Sequence, residues 1–128
     1  MQDIRIERLA KVLVSYSLGL TKGEVLQIEG PSLAAPLIKA VYKEALLAGA
    51  HPYARTTVEG LVEIFYEYSS DEQLRHIFEA HKSELKKLNA LLTIWGDWNT
   101  KKLKSVDPKR IALRENSKKV LYDILLQR

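Results

Sequence analysis

Cysteine is absent from the sequence, and methionine occurs once. Without cysteine there is no disulfide framework and no thiolate metal site, which fits a reducing cytoplasm. No apolar run approaches the roughly 18 residues that a membrane-spanning helix needs. The N-terminal stretch MQDIRIERLAKVLV is charged from its third residue and has no signal-peptide core. We therefore expect a cytoplasmic protein with no membrane partner.

Hydrophobic residues form 46% of the 128 positions, enough for one globular domain with its own core. The net charge of +4 is modest for a dedicated nucleic-acid binder, so nucleic acid is not the expected partner. Abundant lysine, arginine and glutamate give a composition that leans toward thermophilic proteins.

Three short segments have the apolar patterns of strands, with helical patterns before, between and after them. The predicted strands lie near 25–30, 51–57 and 90–95. The first two strands and the helix between them form a βαβ unit, whose right-handed crossover makes the strands parallel. The sequence therefore predicts a small three-layer α/β domain. Its short, mostly parallel sheet has the first strand in the middle and helices on both faces.

Several helix boundaries follow from local signals. Ser32 is placed to cap the helix after the first strand, and Gly49 is placed to end it in a left-handed conformation. Ser70 and Gln73 have the spacing of a capping box and begin one continuous helix, SSDEQLRHIFEAHKSELKKL. The first helix of the chain has one apolar stripe, formed by Ile6, Leu9, Leu13 and Tyr16.

The carboxyl ends of the predicted strands form a crevice, because the crossovers leave the first strand in opposite directions. Gly30 and the Thr56–Thr57 region lie there, and two tryptophans beside polar side chains follow the third strand. Such side chains suit an interface or a pocket wall, although packing over the sheet end is an equal alternative. The candidate cavity or interface rim is Ser32, Trp95, Asp97, Trp98, Asn99 and Thr100.

A search for reactive groups predicts no catalytic residue and no metal ligand in this chain. His76 and His81 are five positions apart and lie on different helix faces, while His51 suits a structural role before a proline. The turn EGPSLAAP lacks the further glycines and the lysine of a phosphate-binding loop. Ser32 is not part of a nucleophile elbow.

Two charged groups are better explained as solvated surface than as sites. Glu59, Glu63 and Glu67 share a helical face, as general acid and base residues could. The basic side chains between Lys101 and Lys119 could bind phosphates, but no aromatic residues interleave with them.

Four stretches together resemble the N-terminal portion of the thermophilic metalloaminopeptidases of the aminopeptidase T and aminopeptidase S type. They are LVSYSLGLTKGEVLQIEG, APLIKAVYKEALLAGAHPYAR, SSDEQL and NTKKLKSVDPKRIA. The resemblance implies dimeric enzymes that remove N-terminal residues from peptides with two divalent metals, usually cobalt or zinc. It also implies that the metal ligands lie in a C-terminal catalytic domain beyond this chain.

The last predicted helix opens with Asp107 as cap and Pro108 as first residue. An apolar stripe lies near the end of this helix. Free chain termini are usually polar, so the stripe suggests a missing packing partner. This expected interdomain stripe comprises Val120, Leu121, Ile124 and Leu125, and Leu126 extends it. We therefore interpret residues 1–128 as a single N-terminal domain, inactive alone, that flanks the substrate cavity. The alternatives are a homodimerising interaction module and a small nucleotide or nucleic-acid binder.

Overall fold

Residues 3–95 and 103–127 are described by a computed structural model. The strands are β1 (Val25–Pro31), β2 (His51–Thr57) and β3 (Ala90–Thr93). The α-helices are α1 (Ile4–Val12), α2 (Ala35–Leu47), α3 (Leu61–Tyr68), α4 (Asp71–Arg75), α5 (Glu79–Lys87), α6 (Pro108–Ser117) and α7 (Lys119–Leu126). A π-helix at Leu13–Ser17 continues α1, and 3-10 helices cover Ser32–Ala34 and Leu103–Ser105.

The three strands form one parallel sheet in the order β2-β1-β3. This confirms the small three-layer α/β class and the central place of the first strand. Pro52 is the second residue of β2, an outer strand, which keeps a residue without an N–H out of the central strand. β3 ends at Thr93, two residues before the predicted boundary.

The chain divides into two compact units, each built from two separate stretches. The first unit comprises Met1–Glu59 and Leu88–Gly96, and the second comprises Gly60–Lys87 and Asp97–Arg128. In the first unit α2 packs on β1 and β2, and α1 packs on α2. Its core residues are Ala10, Val14, Leu20, Leu26, Ile28, Ile38, Ala40, Val41, Ala45 and Ala50.

The buried face of α1 matches the predicted stripe only in part, since Ile6 and Leu13 pack against the core. Ala10 and Val14 are buried, whereas Leu9 is exposed and Tyr16 is 87% exposed. A small side chain such as Ala10 allows α1 to approach α2 closely. Apolar residues lie on more than one side of α1, so their periodicity alone could not identify the buried face. The π-helix adds to the difference, since the Leu18 amide bonds the Leu13 carbonyl at 2.8 Å, five residues back.

The ends of α2 confirm one prediction and correct another. The predicted cap by Ser32 is wrong, because the 3-10 helix intervenes and Ala34 occupies the cap position. Gly49 ends the helix with φ of 83°, as predicted. The amide of Gly49 bonds the Leu46 carbonyl and the amide of Ala50 bonds the Ala45 carbonyl, both at 3.0 Å. This is the Schellman arrangement that satisfies the last carbonyls of a helix.

The second unit contains α3 to α7, and its capping box is confirmed. Ser70 Oγ accepts from the Gln73 amide at 3.1 Å, and Gln73 Oε1 accepts from the Ser70 amide at 2.8 Å. The predicted single helix beyond it is wrong, because α4 ends at Arg75 and His76 is extended. Arg114 Nη1 donates to the Leu74 and His76 carbonyls at 3.1 and 2.8 Å, so these carbonyls are satisfied without a continued helix.

A second arginine, one turn earlier on α6, stabilises the end of α3. Arg110 Nη2 donates to the Tyr66 carbonyl at 2.6 Å and to the Ser69 carbonyl at 2.8 Å. Helix α6 itself begins as predicted, since Asp107 Oδ1 accepts from the Lys109 amide at 2.9 Å. The predicted last helix is two helices, which meet at Lys118.

Candidate functional site

The carboxyl ends of the strands lie at one edge of the sheet in the first unit. Gly30 is in register with Thr56, and the amide of Ile94 donates to the Glu29 carbonyl at 2.7 Å. A Cβ atom on Gly30 would lie 3.1 Å from the Ile94 Cβ and 3.6 Å from Ile38 Cδ1. The absence of a side chain at position 30 therefore lets the segment after β3 approach the end of the central strand.

Two of the predicted rim residues follow neighbouring strands at this edge. Ser32 comes directly after β1 and is exposed, and Trp95 comes two residues after β3 and is 81% exposed. The other predicted rim residues, Asp97, Trp98, Asn99 and Thr100, lie outside the described residues. An exposed indole beside the edge of a sheet is available to contact another protein surface or a ligand.

A polar row on one face of the sheet was not among the predicted site residues. Gln27 is fully buried in the central strand, and its Nε2 donates to Tyr53 Oη at 3.0 Å. Strand alternation places Glu29 on the same face as Gln27, in register with Arg55 on one side and Thr93 on the other. The row leads toward the edge that holds Ser32 and Trp95.

The alternation in EVLQIEG contains the signal for this row. Leu26 and Ile28 belong to the buried core on the opposite face. An amide and a carboxylate at the intervening positions indicate a face that is polar at the centre of the sheet. Such groups can hold and orient a polar ligand, because they present hydrogen-bond donors and acceptors from a rigid strand.

Contacts are described at two of the histidines. His51 begins β2, where its backbone amide donates to the Glu24 carbonyl at 2.7 Å. The ring of His76 stacks edge-to-face on Phe78 at 4.8 Å between centroids. Within residues 3–95 and 103–127, no group of three or more histidine, aspartate or glutamate side chains could hold a metal ion.

A tyrosine and carboxylate cluster lies in the second unit. Tyr122 Oη donates to Glu115 Oε2 at 3.3 Å, and Lys118 Nζ lies 3.7 Å from Glu115 Oε1. The pKa of Tyr66 is raised above its ordinary value, mainly by burial and to a smaller extent by the nearby Glu115 carboxylate. Burial and the same carboxylate also raise the pKa of Tyr122. Both phenols therefore keep their protons to a higher pH than a free tyrosine does.

None of the helices in the described part of the chain is long and apolar enough to cross a membrane. Comparison with protein families gives a match from residue 2 to residue 128 to the family described as thermophilic metalloprotease (M29). The chain belongs to this family. The match confirms the resemblance drawn from the sequence stretches and covers nearly every residue.

Two relatives support the assignment. The chain is 30% identical over 112 residues to Aminopeptidase 2 of Geobacillus stearothermophilus. The aligned region covers 84% of this chain and 27% of that protein. It resembles the structure of wild-type AmpT from Thermus thermophilus with a TM-score of 0.76 and 19% identity. That likeness covers 95% of this chain and 32% of that chain, and it shows the shared fold. The chain thus spans about a third or less of the relatives it matches.

The family name implies a metal ion in the enzymes of this family. A dinuclear site requires several carboxylate or imidazole ligands that converge on one point. The described residues do not provide such a group.

Proposed function

We propose that this chain is a non-catalytic N-terminal domain of a dinuclear-metal aminopeptidase, which removes N-terminal residues from peptides. The observation that carries the proposal is the family match from residue 2 to residue 128. The chain corresponds to only 27% of Aminopeptidase 2, which supports a role as one domain of a larger enzyme. The two divalent metals, cobalt or zinc, would be bound by a C-terminal catalytic domain that is the main partner of this one.

The role proposed for the domain is to flank and enclose the substrate cavity in the cytoplasmic enzyme. The rim residues Ser32 and Trp95 are exposed beside the polar row of the sheet, as a cavity wall requires. Asp97, Trp98, Asn99 and Thr100 remain predicted members of the rim and lie outside the described residues. A wall of this kind contributes to catalysis by excluding bulk water and large folded substrates.

The apolar stripe of α7 is proposed as the contact with the catalytic domain. Leu121 is buried and α7 packs on α5, so part of the stripe stabilises the second unit itself. Val120 is exposed, Ile124 and Leu125 are half-buried, and Leu126 is 83% exposed. These side chains form the part of the stripe that a partner domain would cover.

Activity measurements on the purified chain test the catalytic part of the proposal. We expect no turnover of an amino-acid arylamide in the presence of cobalt or zinc, and no stoichiometric metal binding by calorimetry. Metal-dependent hydrolysis that co-purifies with the chain and disappears with a chelator would overturn the proposal.

The exposed end of α7 also favours a second candidate function, a module that homodimerises. Sedimentation of the wild-type chain and of Leu126→Glu separates the two functions. A tight, soluble dimer that Leu126→Glu dissociates supports the module. A monomer, or weak nonspecific association, supports a domain whose stripe is covered by the catalytic domain.

A further inference from the structure

A groove of about 280 Å³ lies in the second unit. The lining residues are Leu61, Val62, Phe65, Tyr66, Arg114 and Lys118. Four of them come from α3 and give the groove a mostly apolar floor, while α6 and its junction with α7 supply the two cations. Its volume lies just below the usual range for ligand sites, so it has room for one side chain rather than a large cofactor.

Arg114 lines the side of this groove and is held there by one ring contact and two described hydrogen bonds. Its guanidinium lies 4.9 Å from the centroid of the Phe65 ring. The described hydrogen bonds of this guanidinium both involve Nη1, which donates to the Leu74 and His76 carbonyls. A guanidinium has five N–H donors in a fork that matches a carboxylate, so Nη2 and Nε can still donate to an anion.

Lys118 adds a second positive charge to the lining. Its side chain is 34% exposed and lies 3.7 Å from Glu115, a weak ion pair. The local charge of Arg114, Lys118 and Glu115 is therefore positive by one unit. An incoming carboxylate would balance this charge, whereas a cationic ligand would meet two like charges.

The geometry points to a binding site for the C-terminal residue of a peptide, with an apolar side chain on the α3 floor and its α-carboxylate at Arg114 and Lys118. Neither feature alone would select this ligand, because the floor binds any apolar group and the cations bind any anion. Their combination in a volume of about 280 Å³ selects a small group that carries both. The inference does not depend on the proposed aminopeptidase function.

A titration with two matched probes tests the site. N-acetyl-L-phenylalanine carries the carboxylate, and its primary amide has the same shape without the charge. Titrated into the isotope-labelled 128-residue chain, the acid should shift the backbone NMR signals of Leu61, Val62 and Phe65. We expect the acid to bind about five times more tightly than the amide, since a hydrogen bond to a charged group adds 1 kcal/mol or more.

Three variants separate the two parts of the site. Lys118→Gln should weaken binding of the acid about two- to fivefold, while Lys119→Gln, at an exposed neighbour, should not change it. Leu61→Glu places a negative charge at the first residue of α3, where it is tolerated, and should weaken the acid more than the amide. Equal affinity for acid and amide, signal shifts confined to other residues, or equal losses in Lys118→Gln and Lys119→Gln would each overturn the proposal.

Discussion

The guanidinium carbon of Arg114 lies over the Phe65 ring, 4.9 Å from its centroid. Through this contact and its hydrogen bonds to the end of α4, a single side chain on α6 joins two other helices of the second unit. In the sequence Arg114 belongs to a basic stretch that favours a solvated surface. Its half-buried position shows that at least this cation is a structural element.

Replacing Arg114 by lysine keeps the charge but removes the planar fork and most of the stacking on Phe65. We expect the free energy of unfolding to fall by about 1–3 kcal/mol. Arg75→Lys is the matched control, because Arg75 is exposed at the end of α4. Urea denaturation followed by circular dichroism measures both variants. Equal unfolding midpoints would contradict the structural role of Arg114.

Ser70→Ala removes the hydroxyl that accepts from the Gln73 amide, so the start of α4 loses one half of its capping box. We expect a loss of about 1 kcal/mol in unfolding free energy. Ser83→Ala, at an exposed position within α5, should change stability by less than about 0.5 kcal/mol. If both alanine variants unfold at the same denaturant concentration, the cap does not stabilise the folded chain.

Gly49→Ala and Gly19→Ala distinguish backbone strain from crowding. Both glycines have positive φ, at 83° and 55°, so alanine at either position should cost about 1 kcal/mol. A Cβ on residue 49 would also lie 3.1 Å from Lys22 Cγ, whereas nothing lies within 4 Å of one on residue 19. We therefore expect Gly49→Ala to lower the thermal midpoint further than Gly19→Ala. Equal midpoints would show that Lys22 moves aside freely, and the opposite order would contradict a cost from crowding at residue 49.

Alkaline pH should destabilise the fold through Tyr66. Its pKa in the folded chain is raised above the ordinary 10.0, so the folded state holds the phenolic proton more tightly than the unfolded state. This stability is fully present below pH 10 and is lost as the pH rises through the folded pKa. Tyr66→Phe should flatten the decline in unfolding free energy above pH 10. A decline of unchanged slope would rule out Tyr66 as its source.

The sheet could be predicted from the sequence because its signals are local. Alternation in EVLQIEG, the glycine that ends α2 and the apolar run near residue 90 are each read within a few residues. The parallel direction of β1 and β2 then follows from the crossover connection between them. The break after Arg75 could not be read in this way, since it depends on Arg114 bonding carbonyls 38 and 40 residues earlier in the chain.

Some residues of the candidate sites could likewise be placed from the sequence, and others depend on contacts between distant segments. Topology places Ser32 and Trp95 after neighbouring strands, so their positions could be read from the sequence, while their role as a cavity or interface rim stays a prediction. Gln27 was predicted as part of a strand but not as a buried partner of Tyr53, because that pairing depends on the register between β1 and β2. The groove with Phe65 and Arg114 could not be predicted, since its walls come from helices far apart in the sequence.

The division of the first unit into two separate stretches has a consequence for biosynthesis. On the ribosome β1 and β2 can pair early, but Ala90 of β3 emerges only after the whole of Gly60–Lys87 has been translated. Until then the nascent sheet keeps an open strand edge, a hazard for aggregation. Substitutions that trap residues 60–87 in a misfolded state should therefore delay the pairing of β3 with β1 and make folding of the first unit more dependent on chaperones.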